Sequence, residues 1–276
     1  MTAANTASTA STANAANAAN AASTAAGGAA GAGGPAGAVT GVLLSGIVGS
    51  TAYGLAHAGS DTDRLGVFAA PTSAFHGLHR PAESHVTTGP DTTYHKAAKW
   101  CRLALGCNPT ASELVWLPGE LYEVRTALGD DLIALRGRFL SARRVRDAYL
   151  GYAGQQFRRL RERGGPSSGG AAPPGGSPAS GRAAKHARHL VRLLEQGTRL
   201  HLTGRLEIRL EDPGRVREDG ERIAADPDLG LEFLSRAEEV FDRPGVLPPA
   251  PDEPAVEAWL QRVRAAHWDG PPAGCS

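Results

Sequence analysis

The chain has 276 residues, which accommodates one or two domains, and its formal net charge of +1 supplies no global field toward nucleic acid or a membrane surface. Residues 1–38 are almost entirely Ala, Thr, Asn, Ser and Gly; nothing in them can anchor a core, so a disordered low-complexity tail is expected. This stretch lacks the basic start and apolar run of a secretory leader, and no apolar run in the chain approaches the ~20 residues that span a bilayer, so a cytoplasmic protein without membrane contact is expected.

Val42-Leu43-Leu44-Ser45-Gly46-Ile47-Val48 is short, apolar and β-branched, and it reads as a buried strand running into a turn at Gly49-Ser50. Ala52, Tyr53, Leu55 and Ala56 give a short helix that Gly59-Ser60 ends. Leu65-Gly66-Val67-Phe68 reads as a second strand. Residues 71–90, with Pro71, Pro81, Gly89 and Pro90, are expected to be loop-rich, and Asp91 to His95 to form a third short strand. From Lys96 to Leu105 the spacing of Ala97, Trp100, Cys101, Ala104 and Leu105 is helical, and Asn108-Pro109 stops it. Cys101 and Cys107 share this apolar context and lack CxxC or CxxH spacing, so they read as buried side chains rather than metal ligands. Ser112 to Trp116 reads as another short helix or strand.

Ser141 through Arg163 is helical and arginine-rich, with Tyr149, Tyr152, Ala153, Gln156 and Leu160 on one face. No aromatic platform is interleaved with its arginines, which favours a solvated helix surface over a nucleic-acid strip. Residues 164–181 are Gly, Ser, Pro and Ala, the composition of a flexible insertion. Helix resumes at Arg182 and runs to about Gln196, with Gly197 placed to terminate it. Leu206 to Leu210 reads as a short strand or extended arm. Two further helical stretches, Leu229–Phe241 and Pro254–His267, flank a proline-rich run.

Phosphoryl chemistry on a nucleoside triphosphate needs backbone N–H donors or cations for the phosphates and a divalent metal held by hard oxygen ligands. A glycine turn between a buried strand and a helix, Gly49-Ser50, meets the first need. Asp61-Thr62-Asp63 at a strand start meets the second, because residues i and i+2 of a strand project to one face. A third carboxylate from a neighbouring strand would complete a two-metal site; Asp91 opens such a strand, and Glu83 is its competitor. Lys185, His189 and Arg192 are spaced i, i+4, i+7 along one helical face. That face is either solvated or a wall of the nucleotide pocket. His95 and Lys99, four apart, either extend this surface or form an exposed pair. Tyr53 either stacks on a base or packs.

Gly49-Ser50-Thr51-Ala52-Tyr53-Gly54-Leu55, Ser60-Asp61-Thr62-Asp63 and Gly66-Val67 together resemble the signature of the DNA polymerase β-like nucleotidyltransferase superfamily. More narrowly, with Asp91-Thr92-Thr93, Asn108-Pro109, Glu113-Leu114, Tyr149 to Ala153 and Lys185 to Leu194, the chain is similar to the bacterial RNA repair pathway DNA polymerase β family over roughly residues 42–210. The resemblance implies an enzyme that transfers a nucleotidyl group from a nucleoside triphosphate (ATP among the candidates) to a hydroxyl and releases pyrophosphate. It implies that Gly49 and Ser50 hold the triphosphate, with Lys185, His189 and Arg192 as the other nucleotide-binding wall. Asp61, Asp63 and Asp91 are implied as ligands of magnesium or manganese, Asp91 also taking the proton of the attacking hydroxyl.

The acceptor stays open between an RNA 3′ end, a protein hydroxyl and a small molecule of antibiotic type. A nucleotide-binding regulatory module without turnover is the alternative; two adjacent like charges argue against it. The implied fold is α+β, a small mixed β-sheet nucleotidyltransferase core with a mostly helical C-terminal part. The corresponding division is tail 1–38, catalytic domain 39–140, helical region 141–210 interrupted by insertion 164–181, and C-terminal helical extension 211–276.

Overall fold

A computed structural model describes residues 39–164 and 178–270. The tail expected over 1–38 and residues 165–177 of the insertion expected over 164–181 lie outside the described residues, and helix begins at Pro178 rather than at Arg182.

Five strands are found among the described residues: β1 (Val42–Val48), β2 (Asp63–Phe68), β3 (Ser84–Thr88), β4 (Asp91–Lys96) and β5 (Tyr122–Arg125). They form one mixed sheet in the order β3-β4-β2-β1-β5. The apolar run of β1 lies buried along most of its length between antiparallel partners β2 and β5. β2 pairs with β4 in parallel, and β3 closes the far edge antiparallel to β4. β3 falls inside the stretch expected to be loop; all its residues but the first are exposed, so no apolar alternation marks it. The sheet and the helices around it make the α+β architecture that the sequence leads one to expect.

The described helices are α1 (Gly49–Tyr53), α2 (Ala97–Leu105), α3 (Pro109–Glu113), α4 (Ala127–Ala134), α5 (Ala142–Gly164), α6 (Pro178–Thr203), α7 (Pro213–Ala225), α8 (Leu229–Phe241) and α9 (Glu253–Ala266). α2 buries Ala97, Trp100, Cys101 and Ala104, as their spacing requires. Trp100 gives its indole N–H to the Ala111 carbonyl at 3.1 Å and meets Phe139 edge to face, ring centres 5.3 Å apart. Asn108 does more than stop α2. Its side chain accepts the Ala111 N–H at 3.1 Å and, with Pro109 at the first helical position, starts α3.

The helical half corrects one expectation. Gly197 does not terminate α6, which continues to Thr203. A Cβ at Gly197 would stand 2.6 Å from the Tyr149 ring, so the glycine serves the close approach of α6 to α5 rather than a helix end. Beyond α6, Leu206, Ile208 and Leu210 are buried and alternate with exposed Glu207 and Arg209, an extended arm that joins no strand ladder. The residues after the arm are part of the same body. The described part of Val39–Ser276 belongs to one compact unit, and α9 buries Trp259, whose indole N–H reaches the Leu128 carbonyl at 3.0 Å. Among the described residues no helix is long and apolar enough to cross a membrane.

Candidate active site

The β1–β2 register sets Val48 opposite Asp63. The chain then turns at Gly49, whose φ of +70° lies in the left-handed region that disfavours a side chain. A Cβ at this position would also run into the Asp63 carboxylate. Glycine is therefore required twice, by conformation and by contact. No side chain caps the start of α1, so a cap does not occupy its first N–H groups. The helix is five residues long and its dipole is small. What the turn offers an anion is its backbone donors.

Asp63 opens β2 and Asp91 opens β4; each stands one residue before Arg64 and Thr92, the first paired residues of the parallel ladder. Neighbouring strands lie about 4.8 Å apart, so the two carboxylates start side by side. Asp61 lies just before β2 in an exposed loop. Burial raises the Asp63 carboxyl above its ordinary range, the charges of Asp91 and Asp61 push it further up, and Lys185 opposes them. Four residues from a loop, two strands and α6 thus share one electrostatic neighbourhood centred on Asp63. Glu83 stands elsewhere: Lys96 and Arg102 engage its carboxylate, the latter at 2.7 Å, and hold its pKa below the usual value against the effect of burial.

Among the described residues, no three His, Cys, Asp or Glu side chains gather closely enough to hold a metal ion. The donor chemistry at Asp61, Asp63 and Asp91 nonetheless fits a hard divalent cation. Their donors are carboxylate oxygens, and the push of Asp91 and Asp61 on the half-buried Asp63 is what a cation would relieve.

The cationic face expected of α6 resolves into three different residues. Lys185 is exposed and acts on Asp63. His189 is partly buried; burial, then the charges of Arg192, Lys185, His186 and Arg188, lower its pKa to about 3, so its ring is neutral at neutral pH. Arg192 is not at a solvated face, being only 4 % exposed. Its guanidinium donates to Glu113 Oε1 at 3.0 Å and lies 4.0 Å over the Tyr53 ring.

Glu113 and the Tyr53 hydroxyl are site-related groups for which sequence reasoning assigned no such role. The available signal was a carboxylate set among Ala111, Leu114 and Val115, all buried. His95 and Lys99 meet through Ser84, whose Oγ lies 2.8 Å from His95 Nδ1 and accepts from Lys99 Nζ at 2.9 Å. On α5, Arg144 pairs with Glu253 at 3.0 Å and Arg146 with Asp242 at 3.3 Å, in keeping with a surface role for those arginines. Cys101 and Cys107 are buried and their thiols pushed up to about 12 and about 11, which keeps them protonated.

No curated protein matches the chain. The RNA repair pathway DNA polymerase beta family matches it over residues 32–212, and the chain belongs to that family, with a role of the nucleotidyltransferase type.

Proposed function

We propose that this member of the RNA repair pathway DNA polymerase β family moves a nucleotidyl group from a nucleoside triphosphate to a hydroxyl acceptor, with an RNA 3′ end as the first candidate acceptor. The observation that carries the reading is the packing of Asp63 against the Gly49 turn, with Asp91 starting the adjacent parallel strand.

The backbone N–H groups of the Gly49-Ser50 turn take the triphosphate oxygens, and Lys185 supplies a positive charge on the opposite side. Asp61, Asp63 and Asp91 would hold magnesium or manganese, which supplies charge neutralisation on the phosphates and lowers the pKa of the attacking hydroxyl. Asp91 accepts the hydroxyl proton. The acceptor oxygen bonds to the α-phosphorus as the α–β anhydride bond breaks, and pyrophosphate leaves with that electron pair. His189, neutral, serves as a hydrogen-bonding wall rather than a counter-charge.

The test incubates α-labelled triphosphates and magnesium with RNA, with lysate protein and with aminoglycosides. Label on RNA 3′ ends is the expected result, and Asp61→Asn or Asp63→Asn should lower transfer at least ~100-fold while the protein stays folded. Wild-type turnover in either variant would remove that carboxylate from the site.

A further inference from the structure

The buried polar groups that this chemistry leaves unused gather where α1, α3 and α6 meet. Tyr53, the last residue of α1, donates its hydroxyl to Glu113 Oε1 at 2.5 Å. Arg192 donates to the same oxygen and, through the same Nη1, to Gln196 Oε1 at 2.7 Å. Gln196 in turn donates Nε2 to the carbonyls of Glu207 at 2.9 Å and Ile208 at 3.2 Å, in the extended arm. Two residues further on, the Leu210 N–H returns to the Tyr53 carbonyl at 3.2 Å. The hydrogen bonds therefore run in a ring that begins and ends on Tyr53.

The ring is a poor device for stability alone. Glu113 and Arg192 are 1 % and 4 % exposed, and Glu113 Oε2 and Arg192 Nε have no hydrogen-bond partner. Desolvating two charges and leaving atoms unsatisfied costs more than apolar side chains of the same shape would. A planar fork stacked on an aromatic ring and bonded to two acceptors does supply fixed direction. Its two ends carry the site. α1 begins with Gly49 four residues before Tyr53, and α6 carries Lys185 two turns before Arg192.

We propose that Tyr53, Glu113, Arg192 and Gln196 are positioning residues, which hold the Gly49-Ser50 turn at a set distance from Lys185 so that triphosphate meets both. The proposal rests on the reading of that turn as the triphosphate site.

Tyr53→Phe and Gln196→Met each open the ring at a different bond and leave the Glu113–Arg192 pair in place. Triphosphate affinity is read as KM in the transfer assay and as Kd by calorimetry with magnesium, and thermal unfolding is followed in parallel. Each variant should weaken affinity about tenfold, the size of one lost charge-assisted bond, with kcat changed less than KM. The double variant should be no weaker than the worse single one, because a ring already open cannot be opened again. Variants that unfold more easily but keep wild-type KM and Kd overturn the positioning role and leave the site reading intact, as do penalties that simply add. A wild-type protein that neither binds nor transfers overturns the site reading and this inference with it.

Discussion

The carboxylate of Asp63 occupies the space that a side chain at Gly49 would fill. The glycine turn and the carboxylate are therefore packed against each other, and a side chain at Gly49 would displace Asp63. In Gly49→Ala the backbone strain at positive φ costs about 1–2 kcal/mol and the new methyl displaces Asp63. Transfer should fall about 100-fold in kcat/KM, the cost of a displacement of about 1 Å. Steady-state kinetics beside thermal denaturation checks this; a variant with full activity would separate turn from carboxylate.

Asp63 also burdens the fold. Its pKa is raised in the native state, so the native protein holds that proton more tightly than the unfolded chain does. Ionisation therefore lowers stability as pH rises past the usual carboxylate range, and the penalty is present at neutral pH. Asp63→Asn at pH 7 with chelator should raise Tm by about 1–3 °C. Millimolar magnesium should raise the Tm of the wild-type protein but not of the variant. An equal magnesium shift in both would place the cation elsewhere.

His189 sets an acid limit. Its pKa falls from 6.5 in the unfolded chain to about 3 in the native state, so between these values the unfolded chain binds a proton that the native ring refuses. Stability on this account is intact above pH 6.5 and is lost as pH falls below it, at up to about 1.4 kcal/mol per pH unit for one proton. His95, lowered to about 4 by burial and Lys99, adds to the upper part of the same window. Urea midpoints from pH 7 to pH 4 should show the slope, and His189→Asn should flatten it. An unaltered slope in the variant would show that other groups govern the loss.

Gly197→Ala tests the contact that lets α6 run on to Thr203. The added methyl meets the Tyr149 ring 2.6 Å away in a packed interface, and overpacking of this kind costs about 1–3 kcal/mol. A Tm lower by several degrees is expected. A higher Tm, as an exposed mid-helix Gly→Ala change gives, would mean that α5 and α6 do not pack this closely.

The core of the site was legible because its chemistry is local. An apolar strand, a glycine turn and a carboxylate pair follow one another within a short span. The two-residue strand period expected to set Asp61 and Asp63 on one face does not apply, because β2 begins at Asp63 and Asp61 lies in the loop before it. The helical wall was less so. Spacing placed Lys185, His189 and Arg192 on one stripe of α6, but whether Arg192 meets solvent depends on Glu113, which lies in α3. Only the tertiary fold decides that. α7 passed unnoticed because Val216 and Ile223 are its only large buried apolar residues, although Asp212, accepting the Arg215 N–H at 2.9 Å, and Pro213 mark its start. β5 has four residues and little apolar content to announce it.

The assembly of the site from β2, β4 and the distant α6 has a consequence during synthesis. Gly49, Asp63 and Asp91 leave the ribosome before Lys185 and the ring around Arg192, which arrive with α6 and the arm behind it. Chains emerge from the N-terminal end and fold progressively. Until the arm emerges, the bond from the Leu210 N–H to the Tyr53 carbonyl is missing and the ring stays open. On the proposed reading, a nascent or truncated chain ending before Leu210 would display the carboxylates without the aimed turn that triphosphate needs, so competence would follow only once α6 and the arm have emerged.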